Sequence, residues 1–372
     1  MVTIVTTAIL ITMADSFEQH GETLKWSPSL DQMLQGHEEC THVLGLFYQF
    51  DPRMRTLQEL LKNEELCNKF IVFHGNEKTY GTPSKKQPKY VECITFSAGL
   101  FHPHVLILVH KQFLRVWIGS TNIKSKHFGC DKQEAAYVEN FPILETPCDS
   151  HASDFGCELE LMLNAVSDMA KAGTPQDKLR EVIALLKNYK IKTDARLIIG
   201  MRDSNTLLNL QHPRQRLNKL CKKTTGGDTL VICNSYLSEA KKNPTFHEFF
   251  DQFKRNCGVE KMFFGADSEE QAIDMCKFKK VARGLTLENH GPLSVRPLIC
   301  KVVYKEAINK QMFVHGKSGV CFDKECREVW AIVGGINFAC AGWGNYLESQ
   351  PKNFEVSVFL HGNNSRLQEL LR

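Results

Sequence analysis

The chain has 372 residues, 42% of them hydrophobic and 24% charged, with a formal net charge of +4. This is the profile of a globular protein with a sizeable core, one large α/β domain or two ordinary ones, and it excludes a disordered or fibrous chain. The charge permits an anionic partner without demanding one. Fourteen cysteines without a single C-x-x-C pair exclude a dense secreted disulfide scaffold and fit free thiols in a reducing compartment, nucleus or cytoplasm.

The chain opens with "MVTIVTTAILITM", which is too short to span a bilayer and lacks a basic n-region. We read residues 1–21 as an N-terminal extension and expect no membrane contact. Apolar, β-branched runs bounded by turn residues then predict buried strands at 42–50, 69–74, 105–110 and 113–119, with an amphipathic helix over 55–66. Turn formers in "ETPCDSHASDFG" place a boundary within 145–160, dividing the chain into halves at 22–150 and 155–372. The second half begins with helical patterns at 157–172 and 175–189, the latter with Pro in its first turn. Strands follow at 195–200, 229–235, 261–265, 298–304, 329–335 and 354–360. Alternating strands and helices with long crossovers predict an α/β fold with a mainly parallel or mixed sheet covered on both faces.

One pattern occurs twice. "GSTNIKSKHFG" at 119–129 and "GGINFACAGWG" at 334–344 share Gly-x-x-Asn, then an aromatic and Gly six and seven residues after Asn122 and Asn337. Upstream of each lies a histidine: His102, twenty residues before Asn122, and His315, twenty-two before Asn337. Each half therefore spells His-x-basic, a strand, a turn, a strand, then Gly-x-x-Asn. At about 3.3 Å per residue, such a strand pair brings the His beside the Asn. Two half-sites related by a pseudo-twofold would then meet as a single site.

Two histidines across a phosphate can divide phosphodiester cleavage into two steps. One neutral imidazole attacks phosphorus, and the other, protonated, gives its proton to the leaving oxygen. Lys317, Asn122, Asn337 and Ser120 would supply donors to the non-bridging oxygens. No metal or other cofactor is expected. "CFDKEC" (321–326) has no second pair at zinc spacing, and the His102/His104 pair has no visible third ligand.

These motifs resemble the tyrosyl-DNA phosphodiesterase family of the phospholipase D superfamily. The likeness rests on "HGK" at 315–317, Asn337 and "AGWG" at 341–344, with "LFYQFD" and "FIVFHG" as the opening strands. Val109 and Phe322 stand where most of the superfamily has Asp, which is also a habit of this branch. The resemblance implies two similar α-β-α sandwich halves with one active site between them. It also implies His102 as nucleophile, His315 as general acid and base, and Gln133 and Glu355 as residues orienting these imidazoles. Tyr48 and Ser235 fall in segments that resemble substrate-contacting ones. The implied activity is hydrolysis of 3′-phosphotyrosyl or otherwise 3′-blocked DNA ends, a DNA-repair reaction. The partner would be single-stranded or nicked DNA, including ends carrying a topoisomerase peptide, and a monomer would suffice. The chain departs from the family at His104, where a Lys is expected, and at Ala98, where Phe96 and Phe101 only flank the family's aromatic platform. The alternatives are a catalytically weak or inactive relative that binds nucleic-acid ends or a protein, and a superfamily nuclease.

Overall fold

The computed structural model describes residues 33–76, 87–96, 99–123, 132–133, 136–151, 153–201, 212–224, 226–234, 246–265, 313–314, 317–325, 327–344 and 351–362. The N-terminal extension and the strand predicted at 298–304 lie outside them. Fourteen strands are described: β1 (Cys40–Phe47), β2 (Phe70–His74), β3 (Tyr90–Cys93), β4 (His104–His110), β5 (Phe113–Gly119), β6 (Lys132–Gln133), β7 (Ala136–Pro142), β8 (Arg196–Gly200), β9 (Thr229–Asn234), β10 (Lys261–Gly265), β11 (Phe313–Val314), β12 (Lys317–Phe322), β13 (Glu328–Gly334) and β14 (Glu355–His361). The helices are α1 (Arg55–Leu60), α2 (Glu64–Lys69), α3 (Asp154–Met169), α4 (Thr174–Leu185), α5 (Pro213–Cys221), α6 (Phe246–Cys257) and the single turn α7 (Cys340–Trp343).

The strands form two six-stranded sheets, ordered β3-β2-β1-β4-β5-β7 and β10-β9-β12-β13-β14-β8. Five consecutive strands of each repeat one scheme. β2 pairs parallel with β1, and β4, β5 and β7 follow antiparallel. β10 pairs parallel with β9, and β12, β13 and β14 follow antiparallel. The duplication seen in the motifs is therefore a duplication of five strands in each sheet, with β3 and β8 added at unlike edges. Antiparallel pairs dominate, against the mainly parallel alternative, because the connections β4–β5 and β12–β13 are too short for a crossover.

Burial on both sheet faces explains why the strands read as continuous apolar runs. On β4, Val105, Ile107 and Val109 face a central core, while Leu106 and Leu108 face an outer one under α1 and α2. On β14, Val356, Val358 and Leu360 enter the same central core, and Phe359 joins a second outer cluster with Leu217 of α5 and Phe253 of α6. The α3–α4 pair fills the middle, contributing Leu159, Met162, Leu179 and Val182 to the central core. One core thus runs through both halves.

The helix predicted over 55–66 is two helices. The Oδ1 of Asn63 accepts from the backbone N–H of Glu65 (2.9 Å) and Leu66 (3.4 Å), so Asn63 caps a new helix instead of continuing the first.

Candidate active site

The site is built at the strand ends where the two sheets approach each other. His104 opens β4 opposite Phe47 of β1, and Lys317 opens β12 opposite Asn234 of β9. One step inward, Val105 pairs with Ile118 and Ser318 with Val333. His104 and Lys317 are therefore twofold equivalents, and both are buried (1% exposed each). Tyr48 follows Phe47 in sequence, as Ser235 follows Asn234. Ser235 and His315 lie outside the described residues.

His102 is fixed by the other half of the molecule. Its N–H donates to the Phe354 carbonyl (2.8 Å), and Phe354 N donates to the Leu100 carbonyl (2.9 Å). The Phe101 and Phe354 rings stack nearly parallel, 5.3 Å apart. Gly99 makes this crossing possible, with φ +101° and a site where a Cβ would lie 1.7 Å from the Lys352 carbonyl oxygen. The Nδ1 of His102 then lies 3.3 Å from Oε1 of Glu355. That approach is not aligned as a hydrogen bond, so the pairing is electrostatic. A carboxylate at Nδ1 favours the proton on that nitrogen and keeps the lone pair on Nε2. His102 is 8% exposed, so it retains an opening to solvent.

Glu355 is fully buried. Oε2 accepts from the Asn337 backbone N–H (2.9 Å), and Oε1 accepts from Nδ2 of Asn353 (2.8 Å). A Cβ at Gly342 would lie 2.6 Å from Oε2 of Glu355, so that glycine leaves room for the carboxylate.

The face of the site is aromatic. The Tyr48 ring lies 4.7 Å from that of His102, tilted by 49°. The His104 ring meets His102 edge-on, 4.7 Å away at 88°. Nδ1 of His104 is 3.1 Å from the Thr121 carbonyl oxygen. A carbonyl only accepts, so Nδ1 carries the proton. Burial raises the pKa of the Tyr48 hydroxyl. Phe101 is fully buried and stacked on Phe354, while Phe96 packs against the central core. Neither is a surface platform, and Tyr48 is the aromatic group beside His102.

Asn122 is buried, and its Oδ1 accepts from the Gln49 N–H (2.7 Å). That bond commits the carbonyl end of the amide to the protein, so the NH2 end is what Asn122 offers a ligand. Ser120 is fully buried. Gly335 brings the two motif turns together: a Cβ there would lie 2.8 Å from Cδ2 of His104 and 3.6 Å from the Gly119 carbonyl oxygen. Trp343 is a packing residue, in edge contact with Phe253 at 5.1 Å.

Gln133 occupies a revealing register. Val314, just before His315, pairs parallel with Gln133, as Phe101, just before His102, pairs parallel with Phe354. Gln133 is therefore the counterpart of Phe354. The counterpart of Glu355 is the next residue, Glu134, and the sheet registers Gly119–Ala136 and Gly334–Ser357 give the same answer. Glu134 lies outside the described residues.

The sequence reading missed Asn353, whose side-chain amide donates to Glu355 from two residues before it, and the Thr121 carbonyl that sets the His104 tautomer. Period two along "NFEVSVFL" would have found the first; backbone acceptors leave no sequence signal. No group of three or more His, Cys, Asp or Glu that could hold a metal ion occurs among the described residues.

Two mirrored sheets, each ending in the same motif at one junction, invite comparison with known structures. The yeast tyrosyl-DNA phosphodiesterase crystal structure superposes with a TM-score of 0.57 at 13% identity, covering 93% of this chain and 92% of that one. The fold is the one found in tyrosyl-DNA phosphodiesterase. A mutant of the same yeast enzyme gives a TM-score of 0.57 at 14% identity, over 93% of this chain and 89% of that one. Phosphatidylserine synthase from Haemophilus influenzae Rd KW20 aligns over 97% of this chain and 88% of its own, with 12% identity and a TM-score of 0.48, too loose a likeness to argue from. No protein-family model and no curated protein matches the sequence. The expected phospholipase D-like architecture of two α-β-α halves is the one observed.

Proposed function

We propose that the protein is a phosphodiesterase of the tyrosyl-DNA phosphodiesterase type, hydrolysing 3′-blocked DNA ends through a phosphohistidine on His102. The observation that carries this reading is the seating of His102: Nδ1 lies 3.3 Å from the buried Glu355 carboxylate, at a junction lined by motif residues of both halves. Nε2 of His102 attacks phosphorus, an N–P bond forms, and the P–O bond to the blocking group breaks as that oxygen takes a proton from His315. Water then attacks phosphorus and gives its proton to His315. The N–P bond breaks, leaving a 3′-phosphate and a restored His102. Asn122 and Lys317 stabilise the charge on the non-bridging oxygens. The fold likeness to the yeast enzyme supports the substrate class, and the mild positive charge suits a DNA backbone.

A 3′-phosphotyrosyl oligonucleotide incubated with the protein in chelator tests the proposal. Release of tyrosine and an acid-labile adduct on His102 are expected, and no product between about pH 5 and 8 overturns it. A second reading, a weakly catalytic protein that binds nucleic-acid ends, draws on His104 standing where its twofold mate is Lys317. The same assay separates the two, because a binding protein retains the oligonucleotide without turnover.

A further inference from the structure

We infer that His104 is a phosphate ligand that acts in its doubly protonated form, so that the site takes up a proton as it binds the phosphodiester. This rests on the reading above that the junction holds a phosphate. A phosphodiester presents two non-bridging oxygens to a site with twofold symmetry, and each half offers one buried basic side chain at the same strand position. In the second half that side chain is Lys317, a cation throughout the neutral range. In the first it is His104, in the same register and equally buried.

The tautomer decides what His104 can contribute. Nδ1 holds its proton against the Thr121 carbonyl, so Nε2 is the atom that gains the second proton. Neutral, His104 brings no charge and no Nε2 donor; doubly protonated, it brings both. The groups facing it come from several elements. His102, in edge contact, precedes β4. Tyr48, at the end of β1, lies against His102. Glu355 on β14 reaches His102 at 3.3 Å, and Lys317 on β12 holds the twofold position. From the β13 turn, Gly335 brings only backbone. Burial disfavours a cation at His104, Glu355 is already engaged with His102 and two hydrogen-bond donors, and an arriving phosphate anion reverses the balance. Binding and proton uptake are then one event.

The test uses sulfate, a tetrahedral anion whose charge is constant between about pH 5.5 and 8, so that only protein groups titrate. Calorimetry of the full chain compares wild type, His104→Lys and His104→Gln. Wild-type affinity is expected to fall about tenfold or more across that range. His104→Lys should hold the low-pH affinity throughout, and His104→Gln should sit near the high-pH wild-type value throughout. His102 and His315 are present in all three proteins, so His104 is read from the difference in slope; a slope in both variants equal to that of the wild type overturns the inference, as does absence of sulfate binding. Should a variant fail to fold, nitrogen-15 NMR of the wild-type imidazoles decides, with Nε2 of His104 expected to gain a proton when sulfate is added below neutral pH. Hydrolysis of the 3′-phosphotyrosyl substrate with pH-independent sulfate binding sinks this inference and spares the activity. Proton-linked sulfate binding without hydrolysis sinks the activity and spares this.

Discussion

In the first half of the molecule the motif histidine, His102, is seated on a carboxylate that belongs to the second half, while its companion basic residue is the titratable His104. In the second half the companion is Lys317, whose charge is permanent. At the strand ends that bear the motifs the two frames have the same register, so the contrast there lies in side chains. A duplicated scaffold thus supplies position, and local substitutions assign unlike chemistry to like positions.

Removing the two motif histidines separately is the most forceful way to break this comparison. His102→Ala should lower turnover on the order of 10⁴-fold or more, since no other group can form the covalent bond. His315→Ala should instead leave adduct formed but slowly hydrolysed, measured by trapping the labelled oligonucleotide on acid-quenched protein. Equal loss with no adduct in either variant would contradict the division of roles. Next in size is the pair of carboxylates. Glu355→Gln should reduce kcat roughly 10²-fold or more by releasing the His102 tautomer. The twofold register predicts a loss of the same kind for Glu134→Gln and a smaller one for Gln133→Leu. The reverse ranking would show that the symmetry fails at this position.

Smaller effects concern stability. His74 ends β2 beside Phe47, is 2% exposed, and is held neutral by burial with a pKa lowered to about 4. The unfolded chain protonates this imidazole first as pH falls through 6.5, so the native state loses stability between pH 6.5 and about 4, by about 3 kcal/mol in all. His74→Phe should flatten that part of a denaturant-midpoint against pH curve, and an unchanged curve would place the acid lability elsewhere. Last, Gly342→Ala forces a methyl against Glu355 and should cost about 2 kcal/mol in unfolding free energy, along with a drop in kcat. The corresponding position in the first-half motif is His127.

Much of this was legible in the chain. Continuous apolar, β-branched runs marked β1, β2, β4, β5, β8, β9, β10, β13 and β14 because burial on both faces leaves an unmistakable composition. The paired His-x-basic motifs placed His104 and Lys317 at the starts of equivalent strands, β4 and β12. The edge strand β3, "YVEC", is only half-buried and so carries little apolar signal. The helix break at Asn63 was hidden because a side-chain cap overrode an amphipathic pattern that continues through it. Counting eleven residues from Asn122 pointed to Gln133, and the pairing of Gln133 with Val314 adds position 134 as a second candidate by register.

The central core has a further consequence. Leu106 and its neighbours on the outer face of the first sheet pack in an outer cluster, but Val105, Ile107, Val356 and Val358 lie in one cluster built from both sheets and the α3–α4 pair. Cut between the repeats, neither fragment would retain a complete interior. Co-expressed pieces should accumulate as soluble protein only together, reassembling like two hands of a clasp.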